Sequence, residues 1–100
     1  MATKSRQLQL APRAESDLQD IWEYTFEHWS IGQADRYLRD LIETMQALAR
    51  GRKSGQVCTV REGYLRYSVG SHVVFYRQTP TTLNVVRVLH QRMDVGRHLQ

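Results

Sequence analysis

The 100-residue sequence is 41% hydrophobic and 9% aromatic, in the range of a folded globular chain and above that of a disordered one, with length for one core and one domain spanning residues 1–100. No apolar run approaches the roughly 20 residues that span a bilayer, and the polar start, Met1 to Arg6, lacks a following apolar signal region, so a cytoplasmic location without membrane contact is expected. Charge is divided unevenly: residues 1–49 carry five Lys/Arg against eight Asp/Glu, net −3, whereas residues 50–100 carry nine against Glu62 and Asp94 alone, net +7.

Leu8 and Leu10 alternate with Gln7 and Gln9, which predicts a short half-buried strand at Arg6–Leu10. Pro12 suits the first position of a helix, and Glu15, Asp17 and Asp20 place negative charge near its positive end, although Ala11 is a poor cap. Ala14, Leu18, Ile21, Trp22, Thr25, Phe26 and Trp29 recur at helical spacing, giving a first helix over about residues 12–28. Ser30-Ile31-Gly32-Gln33 has the form of a capping box that opens a second helix. Its stripe runs from Ala34 through Tyr37, Leu38, Leu41, Ile42 and Met45 to Leu48, and Gly51 is placed to end it in the left-handed conformation. So short a link makes the two helices an antiparallel hairpin whose apolar faces need a further surface.

From residue 57 the period changes to two and β-branched and aromatic residues increase. Strands are predicted at Val57–Arg61, Tyr64–Val69, His72–Thr79 and Thr82–His90, joined by turns at Glu62-Gly63, Gly70-Ser71 and Pro80-Thr81, as an antiparallel meander. Leu65, Tyr67 and Val69 share one face, and Val85 to Leu89 is apolar on both faces except at Arg87, as an interior strand would be. The segment from Met93 to Leu99 reads as one helical turn that adds little to the core. The fold class is therefore α+β, an N-terminal strand and an antiparallel helical hairpin packed on an antiparallel β-sheet.

Candidate chemistry is sparse. Glu15, Asp17, Asp20, Glu23 and Glu27 lie mainly off the apolar stripe and read as a solvated face. His28, His72, His90 and His98 show no helical ligand spacing and Cys58 is a single thiol, read as a small buried residue, so no metal is expected. No glycine-rich phosphate loop occurs, and no cofactor is expected. Arg61, Arg66, Arg77 and Arg87 could converge on one sheet face, extended by Arg92 and Arg97, as a site for phosphate or carboxylate, or each could face solvent or pair with the acidic helix. Arg87, between Val86 and Val88, needs a specific partner if it is buried.

Several segments resemble the ParE branch of the RelE/ParE toxin superfamily: Leu10-Ala-Pro-Arg-Ala-Glu-Ser-Asp-Leu18, Ile21-Trp-Glu-Tyr24, Trp29 with Gln33-Ala34 and Tyr37, His72-Val-Val-Phe-Tyr-Arg77, and Val86-Arg-Val-Leu-His-Gln-Arg-Met-Asp94 with Arg97-His98-Leu99. The resemblance covers nearly the whole chain, departing at Ala11, where a capping Ser or Thr is usual. It implies the toxin of a type II toxin–antitoxin system, bound in a hetero-oligomer by a ParD-like antitoxin whose acidic, amphipathic tail folds onto it. It also implies inhibition of DNA gyrase by binding, without catalytic residues and without sequence-specific DNA binding by the toxin alone. The partner-binding residues it suggests are Trp22, Trp29, Tyr37, Arg61, Arg66, Arg87, His90, Arg92 and Arg97, with the three aromatics equally compatible with a place in the core. The RelE branch is a ribosome-dependent mRNA endonuclease, the alternative reading, for which Arg61, Arg87 and His90 are candidates. The aromatic hydroxyl common at the C-terminal end of RelE-type sites has no counterpart, because no Tyr follows Tyr76.

Overall fold

A computed structural model describes residues 5–99; Met1 to Lys4 of the polar start, and Gln100, lie outside the described residues. Strand β1 (Gln7–Leu10) leads into helix α1 (Pro12–His28), which Trp29 and Ser30 join to helix α2 (Ile31–Ala49). Strands β2 (Gln56–Val57), β3 (Leu65–Val69), β4 (His72–Gln78) and β5 (Thr82–His90) follow, and a single turn, α3 (Val95–His98), comes last.

The helix ends form as the residues dictate. Ser30 Oγ accepts the Gln33 N–H at 3.1 Å, and Gly51 leaves α2 at φ 77, where any side chain would be strained. Ala11 caps α1 without a side-chain bond. Its own N–H is used elsewhere, donating to the Val85 carbonyl at 2.9 Å.

The sheet has the order β1-β5-β4-β3-β2. Strands β2 to β5 are the expected antiparallel meander, but β1 lies parallel to β5, so the sheet is mixed and β5 is interior. Beyond shifts of one residue at strand ends, two features depart from the sequence pattern. The strand expected at Val57–Arg61 stops at Val57, because the chain turns there to bury Cys58 against the sheet and the Tyr64 N–H closes onto the Arg61 carbonyl. In β5 the register passes from Tyr76↔Val85 to Phe75↔Arg87, leaving Val86 as an extra residue, a β-bulge. Leu83, Val85 and Val88 therefore face the helices, while Val86 and Leu89 face the other way.

Each sheet face has its own core. The helical hairpin covers one face, with Ala14, Leu18, Ile21, Leu41, Met45 and Leu48 packed on Val74, Tyr76, Leu83 and Val85. The expectation that the C-terminal segment adds little core is corrected here. Leu99 is 4% exposed and joins Cys58, Val73, Phe75 and Leu89 on the second face, with Val95 and Tyr64 at the margin. A five-stranded sheet with apolar residues on both faces cannot leave either one wet, and the loop at 58–64 and α3 supply the second cover.

Candidate functional site

On the helical side, Trp22 is half-buried, donates its indole N–H to Asp35 at 2.9 Å and stacks on Phe26 at 5.4 Å. It forms the wall of an open trough of about 540 Å³ floored by Leu10, Leu18, Leu38 and Ile42. The trough is apolar because the stripes of α1 and α2 are wider than the seam where the helices meet.

The arginines divide. Arg66 stands over the Phe75 ring at 5.9 Å, and Arg61 and Arg77 both stand over Tyr64, at 5.2 and 5.4 Å. These three share the sheet face away from the helices, as the strand pattern allowed. Arg92 and Arg97 are exposed beyond β5, Arg97 in the last turn of α3.

Arg87 does not join them. Its Nε and Nη2 donate to Asp17 Oδ2 and Oδ1 at 2.8 and 2.9 Å, a bidentate pair whose side chains are 15% and 12% exposed. Its Nη1 donates to the His98 carbonyl at 3.1 Å, and Arg61 Nη1 to that of Leu99. Two guanidinium groups thus hold the final turn by its terminal carbonyls, which carry the negative end of the helix. Asp17, read from sequence as part of a solvated face, is instead half-buried and accepts a third bond, from the Val88 N–H at 2.9 Å. That amide lies past the end of β1, where no strand covers β5, so the carboxylate occupies the place of a β1 carbonyl. The ion pair holds the Arg87 pKa above its ordinary value: the hydrogen bonds it donates to Asp17 favour the cation more than burial opposes it.

The third place is at the tip of the hairpin, where a cavity of about 330 Å³ is lined by Tyr24, Trp29, Gln33, Tyr37, His72 and His90. Trp29 is 74% exposed and Tyr24 61%, so neither belongs to the core. Tyr37, half-buried, accepts the Ser71 N–H and lies 3.2 Å from the Val69 carbonyl and 2.7 Å from His72 Nδ1. His72 and His90 are cross-strand partners with ring centroids 5.3 Å apart at 86°. Burial, reinforced by His90, lowers the His72 pKa, so this imidazole is neutral near pH 7. Burial raises the Tyr37 pKa and keeps its hydroxyl protonated. Gly70, at φ 56 in the β3–β4 turn, admits Tyr37: a Cβ there would stand 2.8 Å from the hydroxyl oxygen. Gly70→Ala is expected to cost about 1–2 kcal/mol through the left-handed backbone and this clash, and the near-ultraviolet signal of Tyr37 should change with it; an unaltered melting temperature and spectrum would refute the close approach. Among the described residues no group of three or more His, Cys, Asp or Glu could hold a metal ion.

A family model of the ParE toxin of type II toxin–antitoxin systems (parDE) matches residues 8–95. The chain belongs to the ParE toxin family. It is similar to Toxin ParE1 of Mycobacterium tuberculosis, 46% identical over 92 residues that cover 90% of this chain and 94% of that protein. Toxin ParE1 of Caulobacter vibrioides is 43% identical over 91 residues, with the same coverage. Among solved structures, the toxin superposes on a chain of the chromosomal ParDE system of P. aeruginosa with a TM-score of 0.76 at 15% identity, covering 85% of this chain and 95% of that one. A chain of the RelBE2 toxin–antitoxin complex of M. tuberculosis gives 0.65 at 21% identity, covering 89% and 94%. These likenesses establish the RelE/ParE fold. The toxin carries two features that reading along the sequence missed, Asp17 as the seat of Arg87 and His72 as the neighbour of His90. The isolated Arg87 in an apolar strand signalled that a carboxylate had to exist, but nothing in the sequence said which of five. Among the described residues no helix is long and apolar enough to cross a membrane.

Proposed function

We propose that the toxin acts in the cytoplasm by binding DNA gyrase without catalysing a reaction itself, and that a ParD-like antitoxin neutralises it in a hetero-oligomeric complex. The observation that carries this reading is the separation of two unlike surfaces on one small fold. The apolar trough beside Trp22, flanked by Glu15, Gln19 and Glu23, has the form that takes an amphipathic segment, apolar side inward. The opposite sheet face presents Arg61, Arg66 and Arg77 around Tyr64 and Phe75, with Arg92 and Arg97 beyond. Arginines spread on aromatic rings keep their donors available for carboxylates or phosphates, and the net +7 of residues 50–100 steers an anionic partner to this side.

The endonuclease reading needs Arg61, Arg87 and His90 in one place. Arg61 and Arg87 both reach the final turn, at the Leu99 and His98 carbonyls, but Arg87 is committed to Asp17 and His90 lies on the other sheet face beside Tyr37. The placement of His90 apart from the two arginines supports binding over hydrolysis. Purified toxin added to gyrase in supercoiling and cleavage assays is expected to stop supercoiling and accumulate cleaved DNA. A ribosome-dependent mRNA cleavage assay run beside it should leave mRNA intact. Cuts in the mRNA that vanish in His90→Ala would overturn the proposal.

A further inference from the structure

The cavity at the hairpin tip shares no lining residue with the Trp22 trough and lies apart from the arginine face. Tyr37 has one hydroxyl proton and two acceptors, His72 Nδ1 at 2.7 Å and the Val69 carbonyl at 3.2 Å. The nearer one takes it, which makes Nδ1 of His72 an acceptor and leaves the ring proton on Nε2. In His90, Nδ1 accepts the Arg92 N–H at 3.1 Å, so its ring proton is on Nε2 as well. No side chain of the described residues accepts from either Nε2, and no buried side-chain nitrogen lacks a partner, so both N–H groups are open to solvent. Two adjacent imidazoles that line one cavity therefore each keep a free Nε2–H donor, the tautomer set by its own Nδ1 bond. Its outer wall is the exposed indole of Trp29, with the Gln33 amide beside it.

We propose that this cavity binds a nucleotide unit of single-stranded nucleic acid, with its phosphate on the Nε2–H groups of His72 and His90 and its base against Trp29. Two N–H donors on rings 5.3 Å apart suit the oxygens of one phosphate. A free aromatic face beside them is what a base stacks on, and about 330 Å³ accommodates one nucleotide. The hydrogen-bond network also admits the protonated state that an anion favours. When His72 gains a proton its Nδ1 becomes a donor to the Tyr37 oxygen, and the Tyr37 hydroxyl turns to the Val69 carbonyl, so no group loses its partner. Charged and titratable groups facing the pair are Tyr37 from α2, with Asp40 behind it, and Asp17 from α1, whose charge Arg87 already meets. Binding is thus coupled to proton uptake by His72 and strengthens as the pH is lowered below about 7 toward the depressed pKa of that imidazole.

The test uses the toxin alone, without gyrase or antitoxin. Toxin with ¹⁵N-labelled histidines is titrated with thymidine monophosphate, thymidine, inorganic phosphate and N-acetylglutamate, while Trp fluorescence is followed in wild type and Trp22→Phe. The monophosphate is expected to shift the His72 and His90 ring resonances and quench Trp29, with thymidine and phosphate each binding about tenfold more weakly. Trp29→Ala, on an exposed position, and His90→Gln should each weaken the monophosphate about tenfold without changing the melting temperature. Phosphate binding as tightly as the nucleotide with Trp29 silent would overturn the proposal, as would N-acetylglutamate binding equally well, which would assign the cavity to a protein carboxylate. Shifts confined to the arginine face would overturn it too.

Discussion

Replacing Asp17 by Ala is expected to lower stability by about 3 kcal/mol, the range for breaking a largely buried ion pair. The change leaves three donors in place without their acceptor: two from the Arg87 guanidinium and the Val88 amide. For a chain of this size the melting temperature should fall by roughly 12–20 °C. Arg87→Ala should cost less than Asp17→Ala, because a carboxylate at the edge of the helix can still meet water and keep the Val88 amide, but more than Arg66→Ala, which removes a ring contact on an open face and should change stability by under about 0.5 kcal/mol. A double-mutant cycle on Asp17 and Arg87 should give a coupling of about 1.5 kcal/mol or more. Equal and near-zero effects of all three single changes in thermal melts would sink this account.

Leu99→Ala should cost about 2–4 kcal/mol. The side chain closes the second core over Phe75 and Leu89, and its neighbours belong to a rigid sheet that cannot collapse into the gap. Removing residues 95–100 should cost more, since it also strips Arg61 and Arg87 of the carbonyls they hold and exposes Cys58 and Phe75. Such a truncation should bind a hydrophobic dye and show increased thiol reactivity at Cys58. A truncated toxin with native melting and an unreactive thiol would show that the segment is dispensable.

The helices, their Ser30 and Gly51 boundaries and the full span of β5 were legible because each rests on neighbours within a few residues: a 3.6-residue stripe, a cap, a left-handed glycine. What was not legible depends on distant pairing. The parallel seat of β1 beside β5 leaves no mark on Gln7 to Leu10 themselves. The bulge at Val86 is invisible in a run of valines, yet it decides the candidate site: without the extra residue His72 would face Leu89, and His90 would fall out of register with it. The same bulge takes Arg87 out of register with Val74, on the helix-covered face, and places it opposite Phe75, where Asp17 reaches it. Asp17 looked like its acidic neighbours because the amide it serves is 71 residues away.

The placement of β5 between β1 and β4 also orders events in time. This interior strand is the last of the five to be synthesised, and both the seat for β1 and the amide and guanidinium that Asp17 engages come with it. A nascent chain at the ribosome can form the helical hairpin early from local contacts, but the part of its floor that Leu83, Val85 and Val88 supply is absent until residues 82–90 emerge. The helical side of the toxin therefore closes late, when β5 brings its apolar residues and the partners of Asp17 together.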